Sequence, residues 1–190
     1  MSERPRVVAI CGSLRDQSAT RRALCHALDA AAAEGARTEL IDLRTWDLPL
    51  FDPDHRDRGD VRDLKEVVQE ADAVIMGTPV YHGMVSSALK NAFDYLGKDE
   101  FEGTTVGLLA AAGGGSFAHT LEHLRSGIRT VHGWTVPHEV GLRNASSKFD
   151  EEGNIIDEDI DARIRKLGRM VTRYAMIEPN ERTSISASRH

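Results

Sequence analysis

The 190-residue sequence predicts an α/β fold: a doubly wound parallel sheet with helices on both faces. Short apolar segments rich in β-formers alternate five times with segments of helical character. The first apolar segment leads into a hydroxyl-rich loop at the start of a helix, and no internal repeat interrupts the pattern. Alternation of this kind requires crossover connections between parallel strands, which place helices on both faces of the sheet.

The first predicted strand is Arg6–Cys11, and the loop Gly12–Thr20 follows it. Ser18 or Thr20 can cap the helix that begins there. Backbone N–H groups and the positive end of the helix dipole converge at such a turn, so the loop is a candidate phosphate site. The side chains that add donors are Ser13, Arg15, Ser18 and Thr20. An ordinary βα turn with a capped helix is the alternative interpretation.

The loop lacks the Gly-x-Gly-x-x-Gly fingerprint of dinucleotide-binding folds, and it lacks the Gly-Lys-Ser/Thr of P-loop NTPases. Both classes of nucleotide site are therefore excluded at this position.

The remaining elements continue the alternation. The predicted helices are Ser18–Ala33, Val61–Glu70, Val85–Leu96, Phe117–Val131 and Asp157–Met176. The other predicted strands are Thr38–Leu43, Ala73–Thr78, Thr105–Ala111 and Thr135–Gly141. Gly35 and Gly97 end the first and third helices, and Pro137 indicates an edge position for the last strand. We expect one domain over residues 1–177, with a long loop at 46–59 and a frayed tail at 178–190.

Five strands that begin with a phosphate-type loop favour the flavodoxin-like order 2-1-3-4-5, with a ligand outside the carboxyl ends of strands one, three and four. The loops after strands three and four are Pro79–Gly83 and Gly113–Ser116. The former offers exposed amides and the Tyr81 ring, and the latter lets the backbone approach a ring edge closely. Both features suit a flat redox-active ring. A flexible connector and a half-buried packing residue are the alternative interpretations.

Several motifs resemble those of the NADPH-dependent FMN reductase family. They are Gly-Ser-Leu-Arg at 12–15, Leu-Pro-Leu-Phe-Asp at 48–52, Thr-Pro-Val-Tyr-His at 78–82 and Ala-Leu-Lys-Asn-Ala-Phe-Asp-Tyr-Leu at 88–96. The similarity runs from about Val7 to Gly133. It implies a flavodoxin-like fold, noncovalent FMN, and NADPH or NADH as co-substrate.

The resemblance also implies a set of FMN-binding residues. The phosphate would be held by Ser13, Arg15, Ser18 and Thr20. The ring would be held by Pro79, Val80, Tyr81, His82, Gly83, Gly113, Gly114, Gly115 and Ser116. Four positions depart from the family's usual residues: Thr20, Val80, His82 and Tyr95. These departures bear on the electron acceptor more than on the FMN site.

The function that the resemblance implies is hydride transfer from nicotinamide to FMN, and then to a flavin, quinone, azo compound or metal oxyanion. No side chain is an obligatory catalyst, because the flavin carries the chemistry. A flavodoxin-type electron carrier without its own NAD(P)H oxidation is the main alternative. A flavin-free protein that uses the fold to bind a partner is the third.

Composition narrows the partners. The net charge of −6 argues against nucleic acid and anionic membranes, and no apolar run is long enough to span a bilayer. Without a signal peptide, the expected location is the cytoplasm.

Cys11 and Cys25 have no Cys-x-x-Cys spacing and are expected to be inert reduced thiols. His119–His123 matches an inverted zinc-protease pattern, but no other feature supports a protease, so no metal site is predicted.

The predicted helix Val85–Leu96 has apolar residues on more than one face. A monomer readily buries one face of a surface helix, so this pattern suggests a partner subunit. Together with the family resemblance, it predicts a homodimer or homotetramer.

Overall fold

One parallel sheet organises the computed structural model, which describes residues 4–177. Its strands are β1 (Arg6–Cys11), β2 (Arg37–Asp42), β3 (Ala73–Pro79), β4 (Thr105–Ala111), β5 (Trp134–Thr135) and β6 (Val140–Leu142). The order is β2-β1-β3-β4-β5, and β6 also pairs with β4. Every pairing is parallel. The predicted fold class and the order 2-1-3-4-5 are confirmed.

The helices fall close to their predicted positions. They are α1 (Ala19–Ala33), α2 (Val61–Gln69), α3 (Ser87–Tyr95), α4 (Lys98–Phe101), α5 (Ala118–Thr130) and α6 (Glu158–Ile177), with a 3₁₀ turn at Ala145–Lys148. The sequence analysis did not predict α4. Its N-terminus is held by the Glu100 carboxylate, which accepts a hydrogen bond from the Gly97 N–H at 2.7 Å.

Both faces of the sheet carry an apolar core, which confirms the doubly wound arrangement. On one face, Leu24 of α1 and Leu167 of α6 belong to a cluster with Val7 and Ile75 of the sheet. On the other face, residues from α2, α3 and α5 pack together, among them Leu64, Leu89 and Leu124. Strands β3 and β4 are buried along their whole length, as expected for central strands covered on both sides.

The predicted fifth strand, Thr135–Gly141, is divided into two. β5 pairs with the start of β4 at Thr105–Val106, and β6 pairs with the end of β4 at Leu109–Ala111. Pro137 lies between them and has no N–H to donate to a ladder. The edge position that Pro137 indicated is confirmed, but the continuous strand is not.

The segment Val85–Leu96, which was predicted as a helix and contains α3 (Ser87–Tyr95), covers its apolar residues within the chain. Leu89, Ala92 and Leu96 are buried, while Val85, Ala88 and Phe93 pack partly buried against the same cluster. The Phe93 ring lies edge-on to Phe101 at 5.8 Å between centroids. This helix therefore does not itself require a second subunit, and the oligomer stays a prediction.

Within residues 4–177, none of the helices is both long and apolar enough to cross a membrane. The predicted frayed tail, 178–190, lies outside the described residues.

Candidate functional site

Three predicted binding loops start side by side at one edge of the sheet. The Gly12 N–H donates to the Gly77 carbonyl at 2.8 Å, which joins the ends of β1 and β3. The Val80 N–H donates to the Ala111 carbonyl at 2.9 Å, which joins the ends of β3 and β4. Since all three strands are parallel, their carboxyl ends share this edge. The tertiary structure therefore brings together loops that are about 100 residues apart in sequence.

The loop after β1 forms an N–H-rich turn at the start of α1. Ser18 is the N-cap, and its Oγ accepts a hydrogen bond from the Arg21 N–H at 3.0 Å. Among residues 4–177, the backbone N–H groups of Leu14, Asp16 and Gln17 have no hydrogen-bond acceptor. The hydroxyl residues Ser13, Ser18 and Thr20 are buried, and Arg15 is exposed. This donor set fits an anionic ligand such as a phosphate.

Arg21, which the sequence analysis did not single out, shapes this loop. Its guanidinium donates to Asp42 Oδ2 at the end of β2 at 3.0 Å and to the Arg15 carbonyl at 3.3 Å. It also donates to the Asp16 carbonyl. The loop backbone is thus held from outside, which keeps its N–H groups in place.

The loop after β3 is a tight hairpin. Tyr81 and Met84 exchange two backbone hydrogen bonds of 3.1 and 2.9 Å. The two residues between them are left-handed, with φ of 51° at His82 and 76° at Gly83. Positive φ at both central positions defines the turn family that favours Asn-Gly, so His82 adopts a conformation rare for a side-chain-bearing residue. Tyr81 is 49% exposed at the rim of the site.

Buried hydroxyl groups join this hairpin to the first loop. Thr78 Oγ1 accepts a hydrogen bond from the Ser86 N–H at 3.0 Å. Ser86 Oγ in turn donates to the Gly12 carbonyl at 2.7 Å. A Cβ at Gly12 would lie 2.6 Å from Leu89 Cβ and 2.8 Å from Ser86 Oγ, so a glycine is required for this approach. The sequence analysis began this helix at Val85, so it identified neither the cap at Ser86 nor the contact of Ser86 with Gly12.

The loop after β4 is open. Gly113, Gly114, Gly115 and Ser116 are all exposed. Within the described part of the chain, a Cβ added at Gly113 or Gly115 would meet no atom within 4 Å, and one at Gly114 would meet Asn144 Oδ1 at 3.6 Å. The chain's own packing does not require these glycines, and the space beside them is available to a ligand.

The structure adds two details to this loop. Phe117 is the N-cap of α5, and Ser116 Oγ accepts a hydrogen bond from the Ala118 N–H at 3.3 Å. Arg143, which the sequence analysis missed, donates from Nε to the Gly114 carbonyl at 3.2 Å. Arg143 follows β6, so its proximity to the loop depends on the pairing of β6 with β4.

Two side chains of α3, both from the family-like motif at 88–96, form hydrogen bonds with the long loop at 46–59. The Phe51 N–H donates to Asn91 Oδ1 at 2.8 Å, and Asn91 Nδ2 donates to the Pro49 carbonyl at 2.9 Å. The Tyr95 hydroxyl donates to the same carbonyl at 3.0 Å. These bonds fix the long loop against α3. Lys90 and Asp94 form an exposed ion pair on this helix.

Cys11 directly precedes the first loop, and its Sγ lies 4.0 Å from the Ser13 carbonyl oxygen, whereas Cys25 and the histidine pattern lie on helices α1 and α5. Cys11 is buried, and burial raises the pKa of its thiol, while Cys25 is exposed on α1. His119, Glu122 and His123 are exposed on α5. Across residues 4–177, no group of three or more His, Cys, Asp or Glu side chains is placed to hold a metal ion.

Comparison with known proteins agrees with this geometry. A family model described as NADPH-dependent FMN reductase matches residues 5–147. A curated relative, the FMN-dependent NADPH-azoreductase of Staphylococcus aureus (strain USA300), is 37% identical over 105 residues, which are 55% of this chain and 56% of the relative. The match thus spans about half the length of that protein.

Solved structures share the fold. The apo form of the NADH:FMN oxidoreductase EMOB superposes with a TM-score of 0.72 at 19% identity, covering 94% of this chain and 92% of that one. FerB, a flavoenzyme NAD(P)H:(acceptor) oxidoreductase from Paracoccus denitrificans, superposes with a TM-score of 0.70 at 22% identity, covering 91% and 98%. The chain therefore has the flavodoxin-like fold found in flavin oxidoreductases.

Proposed function

The chain belongs to the NADPH-dependent FMN reductase family, and from this premise we propose that it is an FMN-dependent NAD(P)H oxidoreductase acting on a small-molecule acceptor. FMN is the cofactor of this family, and NADPH is its co-substrate. The observation that carries the proposal is the convergence of three loops, one rich in N–H donors and two bordering open space, at a single sheet edge.

In this proposal the loop Gly12–Thr20 binds the FMN phosphate. The N–H groups before α1 and the helix dipole meet the negative charge, and Arg15 adds a cation from the exposed side. Ser13, Ser18 and Thr20 are buried in this loop.

The Tyr81 hairpin and the glycine loop hold the ring. Pro79–Gly83 provides one wall, and Gly113–Ser116 allows close backbone approach along an edge. Bound FMN supplies hydride acceptance from nicotinamide and electron delivery to the second substrate. The chain's residues would orient the ring and leave one face accessible. Because the flavin itself would accept the hydride, no side chain has to transfer a proton in that step.

The acceptor classes that fit an open, shared ring face are flavins, quinones, azo compounds and metal oxyanions. Among them we place flavins, quinones and azo compounds before metal oxyanions, because all three are flat and conjugated. The curated relative is itself named an azoreductase.

An anaerobic NADPH titration tests the proposed function against the electron-carrier alternative. Purified protein loaded with FMN should lose its yellow absorbance rapidly on addition of NADPH or NADH, and an azo dye or quinone should restore it. A protein that bleaches only when a separate reductase is added is a carrier, and a protein that does not retain FMN contradicts both functions.

We also propose that the protein is a cytoplasmic homodimer or homotetramer. Apolar side chains are exposed on the loops around the site, namely Leu14 (56%), Leu50 (82%), Tyr81 (49%) and Met84 (48%). A second subunit would cover them. Light scattering at micromolar concentration should give at least a dimeric mass, and Leu50→Lys should lower it. A monomeric wild-type mass contradicts the assembly without affecting the redox proposal.

A further inference from the structure

A hydrogen bond connects the Tyr81 hairpin to helix α5. Thr120 lies near the start of that helix and is fully buried. Its Oγ1 donates to the Gly83 carbonyl at 3.0 Å. Because α5 begins directly after the glycine loop, this bond spans the two segments proposed to hold the flavin ring.

The hairpin tip needs such an anchor. Tyr81 and Met84 bond to each other, so their backbone groups fix the shape of the turn but not its position. Thr78 and Ser86 hold the base of the hairpin through a 3.0 Å bond. At the tip, His82 stays in the left-handed region at φ 51°, a conformation that persists where surrounding contacts support it.

We infer that Thr120 is a positioning residue of the ring site. Its hydroxyl fixes the His82–Gly83 turn relative to the N-terminus of α5, and so sets the spacing between the Tyr81 hairpin and the glycine loop. The flavin part of this inference rests on the proposed function; the anchoring of the hairpin does not. Thr120 lies inside the zinc-like pattern His119–His123, where the buried residue contacts the site and the two histidines face outward.

Three variants distinguish the effect of losing the Thr120 hydroxyl from two other effects. These are the loss of its methyl group and a general loss of stability. Thr120→Val keeps the shape of the side chain and removes the donor, and Thr120→Ser keeps the donor. Thr172→Val is the matched control, since Thr172 is also fully buried and donates to the Gly168 carbonyl at 2.9 Å within α6. If Thr120→Val fails to fold, Thr120→Ala replaces it in every comparison.

Amide hydrogen exchange in FMN-free protein tests the anchor alone. Exchange of the Tyr81 and Met84 amides should accelerate about five-fold in Thr120→Val, the equilibrium equivalent of one hydrogen bond. It should stay at the wild-type rate in Thr120→Ser and in Thr172→Val. Equal exchange in Thr120→Val and Thr172→Val overturns the inference.

Measurements of FMN binding test whether the anchored hairpin positions the flavin ring. Thr120→Val should raise the FMN dissociation constant about five-fold and shift the flavin absorbance and midpoint potential, with recovery in Thr120→Ser. Faster exchange with unchanged FMN affinity, spectrum and potential overturns the positioning role. If wild-type protein binds no FMN, the proposed function fails, and the exchange measurement still decides whether Thr120 anchors the hairpin.

Discussion

Ser86 Oγ donates to the Gly12 carbonyl at 2.7 Å and at the same time accepts from the Leu89 N–H at 3.2 Å. One buried hydroxyl thus caps α3 and holds the end of β1. Ser86→Ala should lower the free energy of unfolding by about 1–2 kcal/mol, since it removes a helix cap and leaves a buried carbonyl unpaired. Urea denaturation measures this loss. Ser87→Ala is the control because Ser87 is exposed, and an equal loss in both variants would contradict the linking role.

Asn91 should contribute more to the stability of the protein than its half-exposed position on α3 suggests. Its amide makes hydrogen bonds of 2.8 and 2.9 Å with the backbone at Phe51 and Pro49, and a longer one of 3.3 Å with the Leu48 carbonyl. Asn91→Ala should destabilise the protein by about 2 kcal/mol, roughly one for each of the two shorter bonds, and speed proteolysis within residues 46–59. Lys90→Ala removes the exposed ion pair with Asp94 on the same helix. It should change neither the stability nor the rate of proteolysis. Cleavage outside the long loop would argue against the assignment.

Arg15→Ala should weaken FMN binding by about 1.5–3 kcal/mol, the range of a hydrogen bond to a charged group. Isothermal titration of the FMN-free protein measures this change. Arg62→Ala removes an exposed arginine from α2 and should leave the affinity unaltered. Unchanged affinity in Arg15→Ala would refute the phosphate assignment.

Nicotinamide and acceptor should use the same open ring face in turn, because both must approach the flavin N5 closely. Steady-state kinetics at varied NADPH and quinone should therefore give parallel double-reciprocal lines. Intersecting lines would contradict the shared face.

A chelator should not inhibit turnover. Replacement of both His119 and His123 by alanine should not lower turnover either, because neither residue has a role in the proposed site.

Gly114→Val should crowd the ring edge and slow flavin reduction while FMN binding through the phosphate persists. A Cβ there meets Asn144 Oδ1 at an ordinary 3.6 Å, so the variant should fold. Gly97→Val, whose Cβ would lie 3.8 Å from Glu100 Oε2, is the control. Stopped-flow reduction by NADPH is the measurement, and equal rates in the two variants would contradict the placement of the ring.

The two cysteines should differ in reactivity. Burial raises the pKa of both thiols, so the difference comes from access: Cys11 is fully buried, and alkylation there should be slow. Cys25 is exposed and should react first with iodoacetamide, as peptide mass mapping would show. Cys11→Ala should retain NADPH-dependent flavin reduction; its loss would give Cys11 a redox role.

The sequence by itself determined the features that depend on neighbours along the chain. The predicted bounds of β4, Thr105–Ala111, are confirmed, because a continuous apolar run with β propensity identifies a buried central strand. Ser18, one of the two predicted caps of α1, is the one observed, since a cap bonds to a residue three positions away. The alternation of five strands with helices, together with the phosphate-type loop after the first strand, favoured the sheet order that is observed.

The tertiary structure decided the contacts between residues distant in sequence. Ser86 meets Gly12 across 74 positions, Asn91 meets Phe51 across 40, and Thr120 meets Gly83 across 37. A hydroxyl or amide in a sequence indicates that a hydrogen bond will form, but the partner depends on which backbone group the sheet and its crossovers bring within about 3 Å. The break of the fifth strand at Pro137 has the same origin, because β4 pairs with segments on both sides of it. Local propensity identified the loops of the site, and packing over long sequence separations fixed how they are held together.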